Sequence, residues 1–232
     1  GSGEYALATT PVTMDFGFGS SRIANINTPS EQPDFVTSLE ALTQELPESG
    51  ATSLIVSWFG TDLRCVDCRI HPRVEQKQFD ASNMPWQVAG IARAQAGEVP
   101  RDADGREVYG GTPADQSVIE AILALQAAGQ DVLYYPFILM EQMPGNGLSD
   151  PWSNAGDQAV LPWRGRITTS KAPGQPASPD GTVVAEAEVA AFFGTAQASD
   201  FTITPITAQP TAQPGTGALD LLSFGGSVKQ NP

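Results

Sequence analysis

The sequence predicts an α/β fold, which we interpret as a partial or incomplete TIM-barrel-like (β/α) domain with long loops and an extended C-terminal arm. Twice along the chain, an amphipathic helix precedes an apolar strand, and a long polar segment follows each strand. Helices that alternate with apolar strands are typical of parallel sheets, and long loops after the strands are typical of (β/α) barrels. A complete barrel needs about 250 residues in eight strands. Because only two strands are well marked here, we expect partner chains to complete the fold.

The first helix–strand pair begins with a helix predicted over residues 33–47. Apolar residues from Phe35 to Leu46 recur at helical spacing, and Pro47 ends the helix. The next apolar segment, TSLIVSWFG (52–60), is apolar on both alternating faces. This composition predicts a strand that is buried on both sides, as in parallel sheets.

The second pair repeats the first. Pro113 lies just before a predicted helix over residues 114–129, and Gly129 supplies its left-handed end. The following segment, DVLYYPFILM (131–140), predicts a second buried strand. Pro136 inside it cannot donate to a strand ladder, so we expect a bulge or a strand end there.

The rest of the chain sets the predicted domain boundaries. Residues 61–108 and 141–181 are long polar loops, and residues 182–194 predict a third helix. After this helix the composition changes to Pro, Gln and Thr, which is typical of an extended linker. We therefore predict one α/β domain over residues 1–198 and a linker with a C-terminal arm over residues 199–232.

The charge of the chain excludes one class of partner. There are 26 Asp and Glu against 12 Lys and Arg, a formal net charge of −14. Such a balance repels phosphate backbones, so we predict no direct nucleic-acid partner. No apolar run approaches the ~20 residues that a membrane span needs, so we also predict no membrane span.

A C-x-x-C motif lies between the two helix–strand pairs. Cys65 and Cys68 could bind zinc with His71, carry redox chemistry, or close a small disulfide. Zinc needs about four ligands, and His71 is the single histidine of the chain. Redox motifs begin helices, whereas Pro72 blocks a helix here. We favour a pair that stiffens its loop, and we predict no metal and no cofactor.

Four segments in order resemble a known family. They are VSWFGTDLRCVDCRIHPRVE (56–75), YGGTPADQSVIEAI (109–122), YYPFILM (134–140) and PWRGRIT (162–168). They are similar to the TIM-barrel-like region of the glycoside hydrolase/phage tail family, the large baseplate protein called megatron in gene transfer agents and related siphophages. The resemblance extends over residues 3–194, most of the chain.

The resemblance implies a virion component at the tail tip, or baseplate. Its implied partners are the hub and distal tail proteins, in a homotrimeric ring, with contact to host surface glycan. Members of the family continue into a segment GSEL whose glutamate is the plausible glycosidase acid, and this sequence contains no such segment. The resemblance therefore favours a structural role over catalysis.

The alternative function is a glycoside hydrolase or a glycan-binding tail protein. Asp62 and Glu141 follow the two predicted strands, and glycosidases use two carboxyl groups. Aromatic side chains could stack on sugars, and the candidates are Trp58, Trp152 and Trp163. Against this, structural carboxylates that pair with arginine are common on a barrel rim, and a fold does not confer a reaction.

Two arginines in PWRGRIT, Arg164 and Arg166, are candidates for binding an anion or a neighbouring subunit. Arginine binds carboxylates through two parallel hydrogen bonds. In a chain this acidic, we expect both arginines to neutralise carboxylates of the protein or of a neighbouring chain.

Overall fold

The computed structural model describes residues 3–162, 166–203 and 222–224. Within these residues the fold is mixed α/β, with three helices and several small sheets, and it contains no closed barrel. The helices are α1 (Asp34–Glu45), α2 (Asp115–Ala127) and α3 (Val183–Phe193). The strands are β1 (Thr13–Asp15), β2 (Ser21–Ile23), β3 (Ala51–Gly60), β4 (Ile70–His71), β5 (Arg73–Val74), β6 (Asp80–Ala81), β7 (Gln87–Val88), β8 (Ile91–Ala92), β9 (Gly97–Glu98), β10 (Asp131–Met140), β11 (Phe201–Ile203) and β12 (Leu222–Phe224).

The chain forms two compact units. The first comprises Gly1–Trp58 and His71–Ile138, and the second comprises Phe59–Ile70 and Leu139–Pro232. Each of the two long strands has residues in both ranges, and the predicted division into residues 1–198 and 199–232 stays a prediction. No helix among the described residues is long and apolar enough to cross a membrane.

Both helix–strand pairs lie where the sequence predicts them. Helix α1 precedes β3, and helix α2 precedes β10. The helix α2 ends at Ala127, and Gly129 follows with a φ of 77°, a left-handed conformation that glycine adopts without strain. Together the two pairs build one apolar cluster, whose fully buried members are Leu7, Leu54, Val56, Val118, Ala121 and Leu125.

The strands β3 and β10 are parallel neighbours. The Asp131 N–H donates to the Gly50 carbonyl at 2.8 Å at one end, and the Glu141 N–H donates to the Gly60 carbonyl at 3.2 Å at the other. The strand order is β10-β3-β4, so β10 is the terminal strand of this sheet.

The expected burial of β10 on both faces is wrong. Leu133 is 64% exposed and Tyr135 is 46% exposed, and only Met140 of the ten residues is buried. An apolar run predicts a buried strand only where other layers cover it, and residues 133–136 of the edge strand β10, which lie alternately on its two faces, are all exposed. Pro136 lies inside the continuous strand without ending it, as edge strands allow.

The polar segment after β3 contributes a core of its own. Trp86 is fully buried among side chains that include Tyr5, Val12 and Val74, and its indole N–H donates to the Thr112 carbonyl at 2.8 Å. The strands of this region are short, and β1 covers only three residues. The core depends on side chains far apart in sequence rather than on long strands.

The third helix, α3, has no buried residue. Its N-cap Thr182 accepts a hydrogen bond from the Val184 N–H at 3.2 Å, and Gly194 ends it with a φ of 70°. The predicted C-terminal arm, residues 199–232, lies mostly outside the described residues. Its described part includes the antiparallel pair of β11 and β12.

Candidate functional site

The two predicted carboxylates follow the same ends of two neighbouring strands. Asp62 lies two residues after β3, and Glu141 directly follows β10. The hydrogen bond between the Glu141 N–H and the Gly60 carbonyl joins these ends. Parallel sheets carry their ligand sites at the carboxyl ends of the strands, so this end of the sheet is the first place to look for chemistry.

The Asp62 side chain is buried and its oxygens are fully used. Oδ1 accepts hydrogen bonds from the Arg64 backbone N–H at 2.8 Å, from Arg64 Nε at 3.0 Å and from Gln158 Nε2 at 2.7 Å. Oδ2 accepts from Arg64 Nη2 at 2.7 Å. Burial by itself would raise the pKa of Asp62, but the hydrogen bonds from Arg64 and Gln158 outweigh it, and the pKa lies below its ordinary value.

A second buried side chain, Gln158, fixes this loop. Its Oε1 accepts from the Leu63 N–H at 3.0 Å, and its Nε2 donates to Ser149 as well as to Asp62. Gln142, which is also buried, has neither side-chain polar atom paired with any other described group. Gln158 therefore holds the loop through its side-chain hydrogen bonds, whereas the Gln142 amide forms none with the residues that the structure describes.

These contacts limit what Asp62 can do chemically. A glycosidase nucleophile must reach the sugar, and a general acid needs a raised pKa. The Asp62 carboxylate is sealed by Arg64 and has a lowered pKa, so it meets neither requirement. Glu141 is half-buried at the same end of the sheet. The geometry therefore supports an anchored loop at this rim rather than a pair of catalytic carboxylates.

Two of the three tryptophans proposed for sugar stacking, Trp58 and Trp152, contact other groups of the protein. Trp58 is half-buried between the two apolar clusters, and its indole N–H donates to the Tyr134 hydroxyl at 3.4 Å. Trp152 donates to the Arg166 carbonyl at 2.7 Å, and the Arg166 guanidinium lies 5.0 Å from the centre of the same ring. That spacing is a cation–π contact. Trp152 and Arg166 thus contact each other.

Two of the predicted residues, Trp163 and Arg164, lie outside the described residues. Arg64, in contrast, forms ion pairs with both Asp62 and Asp67. The partner of the Asp62 carboxylate is therefore Arg64, two residues later in the sequence.

The C-x-x-C motif contains free thiols. Cys65 and Cys68 are both buried and form no disulfide, so no covalent bond stiffens this loop. Backbone hydrogen bonds hold it instead, from Cys65 N–H to the Thr168 carbonyl at 2.7 Å and from Thr168 N–H to the Leu63 carbonyl at 2.8 Å. Burial raises the pKa of both thiols, which keeps them protonated at neutral pH. Among the described residues, no group of three His, Cys, Asp or Glu side chains could hold a metal.

A buried ion-pair cluster lies in the first unit, and no sequence pattern predicts it. Arg93 Nη2 lies 2.6 Å from Glu4 Oε2, Arg93 Nη1 lies 2.9 Å from Glu4 Oε1, and Nη2 also donates to the Tyr5 hydroxyl at 3.0 Å. Arg93 Nε lies 2.9 Å from Asp80 Oδ1 as an ion pair without hydrogen-bond geometry. These residues are up to 89 positions apart, so spacing could not have connected them.

Comparison with known proteins adds no relative. No protein-family model matches the chain, and no curated protein matches it.

Proposed function

We propose that this protein is a structural component of the tail tip, or baseplate, of a tailed phage or a gene-transfer-agent-like particle. The observation that carries the proposal is an incompletely covered sheet: helices α1 and α2 pack on one face of the parallel strands β3 and β10, while Ile55 and the apolar side chains of β10 from Leu133 to Tyr135 are exposed. Parallel sheets are stable when both faces are covered. A protein that leaves part of such a sheet uncovered is suited to an assembly in which neighbouring chains cover it.

The proposal also includes the architecture of the assembly. The two helix–strand pairs are part of a TIM-barrel-like (β/α) unit that partner chains complete in a homotrimeric ring with hub and distal tail proteins. The resemblance of the four segments in residues 56–168 supports this role. The locked Asp62 carboxylate also supports it, because it favours a scaffold over a glycosidase.

Localisation in the particle tests the proposal. Particles are purified from the source culture, and antibodies raised against residues 1–232 are visualised by immunogold electron microscopy. We expect label at the tail tip in threefold arrangement. Label along the tail tube or on the capsid, or particles without the protein, would contradict the proposal.

A direct assay addresses the alternative function. The full chain is incubated with envelope polysaccharide of the host, and reducing ends are measured over time. We expect no release above buffer for the wild-type protein. Release that disappears in Glu141→Gln would establish a glycosidase and overturn the structural assignment.

A further inference from the structure

The segment from Thr61 to Arg69, which we call the thiol loop, contains both cysteines of the chain. The Thr61 N–H donates to the Arg69 carbonyl at 3.2 Å and closes the loop at its base. Within the loop, the Cys68 N–H donates to the Arg64 carbonyl at 2.9 Å, which is the hydrogen bond of one α-helical turn. Cys65 and Cys68 therefore occupy positions i and i+3 of a single helical turn.

This spacing brings the two cysteine side chains near the geometry of a disulfide. Residues i and i+3 of a helical turn have Cβ atoms about 5–6 Å apart, whereas the Cβ atoms of a disulfide lie about 3.5–4.5 Å apart. A local shift of about 1–2 Å closes that difference. The C-x-x-C spacing is also the one that disulfide oxidoreductases use for a bond that forms and breaks.

Both thiols are shielded from solvent, since Cys65 is 5% exposed and Cys68 is 1% exposed. The Asp62 carboxylate lies near the Cys68 thiol, where Arg69 offsets its charge only in part, and the Glu188 carboxylate lies near Cys65. Burial is the largest cause that raises the pKa of both thiols, and these carboxylates add to it. Access to the thiols, rather than an activated thiolate, therefore limits their oxidation.

The ion pair between Asp62 and Arg64 controls that access. Arg64 supplies the carbonyl that closes the helical turn, and its guanidinium holds the buried Asp62 carboxylate. Gln158 holds the same carboxylate from the other side of the loop. Opening the turn far enough to admit a reagent therefore requires that these hydrogen bonds break.

We propose that Cys65 and Cys68 form a reversible dithiol–disulfide pair that the Asp62–Arg64 ion pair conceals, with a small disulfide such as oxidised glutathione as the oxidant. One cysteine thiolate attacks a glutathione sulfur, and the first glutathione leaves with the electron pair of the broken S–S bond. The second cysteine attacks the mixed disulfide, forms the Cys65–Cys68 bond and releases the second glutathione. The two cysteine protons end on the two glutathione thiols, so the protein loses two electrons and glutathione gains them.

Such a pair responds to the compartment that surrounds the protein. Cytosolic glutathione keeps thiols reduced, whereas disulfides persist outside the cell. In the particle proposed above, release from the cell is the change that would join the two cysteines and fix the loop after β3. This consequence alone rests on the proposed function. The chemistry is a property of the purified chain, so absence of the protein from the tail tip would leave it standing.

The first test measures the equilibrium between dithiol and disulfide. The purified full chain is equilibrated in mixtures of reduced and oxidised glutathione, quenched with acid, alkylated under denaturing conditions and analysed by mass spectrometry. The dithiol carries two alkyl groups, the internal disulfide carries none, and the variant Cys68→Ser forms only the mixed disulfide. We expect a ratio of disulfide to dithiol at least about tenfold higher for the native chain than for the chain in concentrated urea, because the native turn holds the thiols together.

The second test measures the rate. Asp62→Asn and Arg64→Gln break the same ion pair from its two sides, and each is expected to form the disulfide at least about tenfold faster than the wild-type chain, because the loop opens more often. The matched control is Asp104→Asn, which removes the same Asp-x-Arg spacing where Asp104 and Arg106 are both exposed, and it leaves the rate unchanged. Circular dichroism confirms that the variants keep the fold.

Three outcomes overturn the inference. The first is a ratio of disulfide to dithiol in the native chain that is no higher than in urea, a measurement that needs no variant. The second is a native chain that accumulates only mixed disulfides with glutathione, which would mean that the two thiols do not reach each other. The third is a rate in folded Asp62→Asn or Arg64→Gln that equals that of Asp104→Asn, which would mean that the ion pair does not conceal the thiols.

Discussion

Arg93→Met is expected to be among the most destabilising substitutions in the first unit. The Arg93 and Glu4 side chains are only 4% and 5% exposed, and they meet through two hydrogen bonds. Methionine keeps much of the volume of the arginine but leaves Glu4 as a buried carboxylate without its cation. Removing one partner of a buried ion pair costs about 3–5 kcal/mol. That is a large part of the ~5–15 kcal/mol by which domains are stable.

Urea unfolding followed by tryptophan fluorescence measures the loss of unfolding free energy, because Trp86 is fully buried in the apolar cluster that contains Tyr5. The matched control is Arg106→Met, whose ion pair with Asp104 is 76% and 69% exposed. Exposed pairs contribute about 0–1 kcal/mol. If Arg93→Met loses no more stability than Arg106→Met, the cluster does not stabilise the core and our reasoning is wrong.

Two further measurements test whether the unpaired charge of Glu4 causes the loss of stability. The double variant Glu4→Gln/Arg93→Met should regain at least ~1 kcal/mol over Arg93→Met, since it removes the unpaired charge. Burial already raises the pKa of Glu4, and the loss of Arg93 raises it further. A carboxyl group with a raised folded pKa favours the folded state below the unfolded pKa of about 4.3 and loses that contribution as pH rises. The penalty of Arg93→Met should therefore shrink from pH 7 to pH 4.

Other substitutions test the second unit. Asp62→Asn should cost about 2–3 kcal/mol of charged hydrogen bonds and should expose the two buried thiols, seen as faster reaction with Ellman's reagent. Because the pKa of Asp62 is lowered, its contribution persists at neutral pH and is lost as pH falls through the folded value, below about 3.9. Gln142→Met should be neutral or stabilising by up to about 1 kcal/mol, whereas Gln158→Met should destabilise by about 2 kcal/mol or more, because within the described part of the chain only the Gln158 side chain has hydrogen bonds to lose. Equal effects in chemical denaturation would contradict this. Thr182→Ala should cost α3 about 1 kcal/mol of capping, with Thr182→Ser as the control, read from amide exchange of the helix.

The sequence predicts the helices and long strands well, because helical spacing and apolar runs are local signals. It does not predict the exposure of β10, because an apolar run cannot show whether the chain supplies a second covering layer. The sequence predicts that Asp62 and Glu141 follow the two strands. It does not predict that Asp62 contacts Gln158, because these residues are 96 positions apart. The same holds for Arg93 and Glu4. Pairing over such distances depends on the assembled fold and has no local pattern.

The absence of Lys and Arg from both helix–strand segments has a consequence for proteolysis. Trypsin cuts after these residues, so complete digestion leaves 23–64 and 107–164 as two intact peptides, whereas the connection between them contains several cutting sites. Limited digestion of the native chain can therefore sever this connection without cutting β3, β10 or the helices that cover them. If the two pieces then co-migrate on a native gel and separate in urea, the apolar cluster between them holds without the covalent link. Trypsin thus cuts the chain between its two helix–strand segments and leaves each segment intact.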